Sequence, residues 1–99
     1  MATYTRPTIR RTYDVIQADI TEATSALAHN EADAAEFWRA QAEACERLVN
    51  LWNEIVFQAV DDKTLPHWTR FAALTTRDHF ATWARDARRE LESAATESA

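Results

Sequence analysis

The 99-residue chain contains no glycine. Hairpin-built sheets need turn positions with positive φ, which glycine supplies at the least steric cost. Phosphate-binding loops need glycine so that the backbone can approach the ligand closely. Its absence argues against sandwiches, barrels, P-loops and dinucleotide-binding folds together. Twenty alanines and only two prolines leave an all-α fold as the expectation. The length corresponds to one domain spanning residues 1–99.

Cys45 is the single cysteine, so neither an internal disulfide nor a thiolate zinc site is expected, and a reducing, cytoplasmic setting follows as the default. Met1 to Tyr13 holds no apolar run of the secretory type. No segment reaches the ~18 apolar residues of a membrane span, so no membrane partner is expected. The net charge of −5 is unevenly spread, at +3 over residues 1–13, −9 over 14–62 and +1 over 63–99. A nucleic-acid-binding domain is usually basic throughout. The polarity here predicts instead that segments face one another, within one chain or between chains.

Periodicity divides the chain into three helices with short connections, the pattern of an antiparallel three-helix bundle. In the first, about 7–28, Ile9, Tyr13, Ile16, Ile20, Ala23 and Leu27 follow a 4-3-4-3-4 spacing, a heptad seam, with Pro7 suited to the first turn. Asn30 reads as the cap of the second helix, about 31–60, with Asp33 in its first turn. Phe37, Trp38, Cys45, Leu48, Val49, Leu51, Trp52, Ile55, Val56, Ala59 and Val60 cover about half of that helix at ~100° per residue. A helix apolar over so wide an arc sits between two neighbours. Asp62 or Thr64 is expected to cap the third helix, about 65–93, with Pro66 in its first turn. Thr75-Thr76-Arg77-Asp78 resembles an internal cap and predicts a possible break near Thr75. Residues 1–6 and 94–99 are expected to be flexible.

Three such helices form a thin rod, yet the chain carries four tryptophans, four phenylalanines and two tyrosines. Phe57 falls on the polar side of helix two, and Phe71 and Leu74 fall off the apolar face of a continuous helix three. Surplus apolar surface marks an interface. The expectation is a symmetric homodimer forming a larger bundle, with Trp38, Leu48, Trp52, Val56 and Phe57 at the interface.

Charge supplies two further candidates. Glu36, Glu43, Glu54 and Asp61 lie within about 20° of one another on helix two, an acidic stripe for a basic partner. Seven-residue steps separate neighbours by ~10 Å, too far for a shared proton or metal. Arg70, Arg77 and Arg88, flanked by Arg85, form a basic stripe on helix three that suits a second chain's acids or, with Arg6, Arg10 and Arg11, phosphates. Pro66–Arg89 loosely resembles a helix-turn-helix, without the usual glycine in the turn. His29, His67 and His79 form no Glu-x-x-His or His-Glu-x-x-His element, so no metal is expected. Cys45 lies on the apolar face, where it behaves as a small hydrophobe, and Gln41 nearby reads as a register-fixing residue. The tryptophans at 38, 52, 68 and 83 read first as core and second as the lining of a ligand cavity.

No nucleophile, base and oxyanion donor come together, and no phosphate site is visible, so no catalytic residues and no cofactor are expected. The functional expectation is a non-enzymatic adaptor, inhibitor or regulator acting on a protein partner. The alternative is a small DNA-binding regulator using the N-terminal arginines and helix three.

Overall fold

The computed structural model describes residues 4–7, 11–28 and 33–98. Of these, 86% are helical and none is in a strand. Helix α1 spans Tyr13–Ser25 and runs into a single 3₁₀ turn at Ala26–Ala28; α2 spans Ala34–Asp61 and α3 spans His67–Ser98.

Capping chemistry explains where the helices begin. Thr12, in an extended conformation, accepts a hydrogen bond from the Val15 amide and opens α1, with Asp14 in the first turn. Helix α1 thus starts six residues later than Pro7. Pro7 is non-helical, because the segment before Thr12 is held by the side chains of α2. Asp33, not Asn30, caps α2: its carboxylate accepts from the Ala35 amide at 2.8 Å. Asn30, His29, Ile9 and Arg10 lie outside the described residues. Between α2 and α3, Asp62 accepts from both the amide (2.9 Å) and hydroxyl (2.6 Å) of Thr64. This Asx turn occupies the carboxylate expected to cap α3.

Helix α3 is continuous through Thr75, the unbroken one of the two readings that the sequence allows there. The Thr76 hydroxyl donates back to the Ala72 carbonyl at 2.7 Å, so it is satisfied inside the helix instead of competing with it. The helix also continues to Ser98, past the expected end near residue 93, and Thr96 makes the same back-bond to Glu92.

Helix α2 packs against both α1 and α3, whereas α1 and α3 make no close backbone approach among the described residues. Contacts fix the chain directions. Arg11 meets Glu54, and further along α1 Glu22 meets Arg47. Arg77 meets Asn53, and further along α3 Arg88 meets Glu46. Both neighbours therefore run antiparallel to α2. Its buried positions, Ala42, Ala44, Cys45, Leu48, Leu51, Asn53, Ile55 and Val56, span roughly 200° at ~100° per residue. The central placement read from the sequence is what the fold shows. Ile16, Ile20 and Ala23 of α1 join Leu48, Leu51, Ile55, Val56 and Ala73 in one core, with Leu27, Trp52, Leu74 and Phe80 packed against it. The α1 seam thus holds below Tyr13, which is itself exposed.

Candidate functional site

The extended segment ahead of α1 crosses the polar back of α2 and reaches α3. Tyr4 stacks against the Arg77 guanidinium at 3.6 Å. The Thr5 carbonyl accepts from Asn53 Nδ2 at 3.0 Å. Arg6 pairs with Asp61 at 2.6 Å while lying over the Phe57 ring at 4.7 Å. Arg11 grips Glu54 through two nitrogens (3.0 and 2.6 Å) and Asp19 through a third contact at 2.5 Å, while its carbonyl accepts from Gln58 Nε2. Hydrogen bonds to Glu54 and then Asp19 push the Arg11 guanidinium further above its usual range. Residues 4–6, expected to be flexible, are a fastened strap.

This arrangement redraws the charged stripes. Glu54 and Asp61 are bound by arginines of their own chain, leaving Glu36 and Glu43 as the exposed half of the acidic stripe. The strap neutralises the other half because Arg6 and Arg11 fold onto the acidic segment. The basic stripe divides in the same way. Arg77 is buried, donating to Asn53 Oδ1 at 3.0 Å and to Asp78 at 3.2 Å. Arg88 forms a two-pronged pair with Glu46 at 3.0 and 2.6 Å, which holds the Glu46 carboxyl below its usual range and the Arg88 guanidinium above its own. Arg70 and Arg85 remain exposed, Arg70 lying against its neighbour Phe71.

Of the five residues expected at an interface on α2, two are buried within the chain itself. Leu48 is 0% exposed and Val56 5%: both are consumed by the chain's own core, because α1 and α3 together cover the wide apolar arc. Trp52 packs on that core. Phe57 is covered on one face by Arg6. Trp38 is half-buried in an edge-to-face contact with Phe37 at 5.0 Å.

Uncovered aromatic surface lies instead on α3. Trp68 is 69% exposed, Phe71 59% and Trp83 43%. Trp83 is braced by His79 (4.6 Å, tilted) and by Phe80 (5.7 Å, edge-to-face); Phe80 is the member that reaches the core. Between Phe71 and Trp83, the exposed positions are Ala72, Thr75, Asp78, His79 and Thr82, and Asp78 pairs with its neighbour Arg77. The tryptophans thus divide between core and surface.

Two clefts, neither lined by tryptophan, lie elsewhere. One of about 350 Å³ lies under the strap, among Arg6, Arg11, Glu54, Phe57 and Asp61. A shallow one lies beside the Glu46–Arg88 pair. Their charged walls are largely paired with each other. Among the described residues no three His, Cys, Asp or Glu side chains converge as a metal site. Burial pushes the Cys45 thiol upward, away from the reactive thiolate. Among the same residues no helix is long and apolar enough to cross a membrane. Comparison with known protein families, with curated proteins and with solved structures finds no match to this chain.

Of the α3 surface the sequence signalled only Phe71, which falls off the apolar face; Trp68 and Trp83 read first as core, and both are exposed. Tyr4, Glu46 and Asn53, which complete the polar fastenings, escaped sequence reasoning because each depends on a contact more than 40 or 20 residues away.

Proposed function

We propose that this protein is a non-enzymatic binding module that acts by docking a protein helix on the outer face of α3. The observation that carries this reading is the exposure of Trp68, Phe71 and Trp83 on one continuous helix. Aromatic side chains are enriched at binding hot spots, and monomeric proteins rarely leave them clustered in water without use. The charged groups give less support to a nucleic-acid surface: Arg6, Arg11, Arg77 and Arg88 are all engaged within the chain.

The test is a comparison of the wild-type chain with Trp68→Ser/Phe71→Ser. The variant should keep its helical circular dichroism and melting temperature while losing at least tenfold in affinity for every protein the wild type captures. Unchanged capture, or retardation of duplex DNA at physiological salt with a steep salt dependence, overturns the reading.

A further inference from the structure

The exposed face of α3 has a spacing and a self-complementarity that identify its occupant. Trp68, Ala72, Thr75, His79, Thr82 and Asp86 follow one another at intervals of 4, 3, 4, 3 and 4 residues and all are exposed. A 4-3 repeat keeps one narrow edge of a helix turned toward a partner helix. Globular packing has already used a different edge of α3, the one carrying Ala73, Arg77, Ala84 and Ala87. The helix therefore presents a second seam, flanked by Phe71 and Trp83, which no other element among the described residues covers.

We infer that this seam pairs with the same seam of a second copy, antiparallel, about a two-fold axis level with residue 77. This inference rests on the reading of α3 as the docking face. In that register every bulky group meets a small one. Trp83 lies over the partner's Ala72, Phe71 over the partner's Thr82, and Thr75 faces the partner's His79. The one formal charge in the seam, Asp86, lies beside the partner's Trp68, whose indole N–H is a hydrogen-bond donor. Each match occurs twice by symmetry. The small side chains at 72, 75 and 82 let the two backbones come close, as knobs-into-holes packing requires.

The aromatic surface supplies most of the area that a pair needs. At roughly 200–250 Å² per side chain, the exposed fractions of Trp68, Phe71 and Trp83 amount to about 400 Å² of aromatic surface per copy. Two copies bring about 800 Å² before Ala72, Thr75, His79 and Thr82 are added, close to the ~1,200 Å² at which stable interfaces begin.

The experiment is light scattering on the full chain at about 100 µM, with Ala72→Glu and Thr82→Glu as variants. Both positions are exposed and helical, so a glutamate is tolerated in the monomer and buried without a partner in the pair. The wild type should have twice the 11.3 kDa chain mass, and each variant should fall to the single-chain mass with unchanged helicity. As a check of register, an equimolar mixture of Thr75→Cys and His79→Cys chains should cross-link between unlike chains on mild oxidation. A monomeric wild type, or a dimer that survives both glutamates, overturns the self-pairing. A monomer that still loses its captured partners in Trp68→Ser/Phe71→Ser leaves the docking face standing with a different helix upon it.

Discussion

The Arg77 guanidinium, on α3, donates to the Asn53 side-chain carbonyl, on α2, at 3.0 Å, and both residues are buried. Asn53 passes the connection on by donating to the Thr5 carbonyl, while Tyr4 caps the guanidinium from above. One amide side chain therefore ties α2, α3 and the N-terminal strap together. Asn53→Ala removes an acceptor from a buried cation and a donor from the strap at once. Loss of a hydrogen bond to a charged group costs about 1.5–3 kcal/mol, so the unfolding free energy obtained from urea denaturation should drop by that amount. Tyr4→Ala should cost about 0.5–1 kcal/mol. Equal effects of the two variants would contradict this division of labour.

Acid should loosen the α2–α3 contact at Glu46. Its hydrogen bonds from Arg88 lower the carboxyl's pKa in the folded chain. A carboxylate depressed on folding contributes its full stabilisation above the ordinary range of ~4.3, and loses it as pH falls through the folded value. Both side chains are over 40% exposed, so solvent screening limits the contribution to about 0.5–1 kcal/mol. Glu46→Gln should therefore melt below the wild type at pH 7 and alongside it at pH 3. Melting curves that stay equally separated at both pH values would rule the pair out.

Two core positions should respond in opposite ways to truncation. Leu48 is fully buried at the centre of the cluster, and Leu48→Ala should cost about 3–5 kcal/mol by leaving a cavity. Trp52 packs at the edge of the same cluster with its indole N–H buried and, among the described residues, without a hydrogen-bond partner. Trp52→Phe keeps an aromatic ring and removes that unsatisfied donor, so lost contact and relieved desolvation should offset to within about 1 kcal/mol. A loss above 3 kcal/mol in chemical denaturation would show that the indole N–H is satisfied after all.

The helices and the central place of α2 were legible because both follow from periodicity, and half a circumference of apolar residues needs two neighbours. The uneven charge also announced that segments pair, within one chain or between chains, and Arg6 and Arg11 do so within the chain on Asp61 and Glu54. What escaped was the cost accounting of single polar groups. Arg77 reads as a surface residue by type, yet it shares its helix edge with the buried Ala73, Ala84 and Ala87. Asn53 likewise interrupts the run from Val49 to Val56. An arginine among alanines facing an asparagine among valines signals a buried polar tie, but only once the two helices are aligned. The α1 start was misplaced for a related reason: Pro7 tolerates a helix, and only tertiary contacts decide that it is part of an extended strap instead.

The helices are unequal in length, at 13, 28 and 32 residues. The short α1 flanks α2 from about Gln58 back to the region of Arg47, with its 3₁₀ turn continuing beyond. Past that point, among the described residues, α2 is flanked by α3 alone, and small side chains fill its start. Strap, core and ion pairs thus gather at one end of the central helix, so its backbone amides should exchange with solvent more slowly there than at the other.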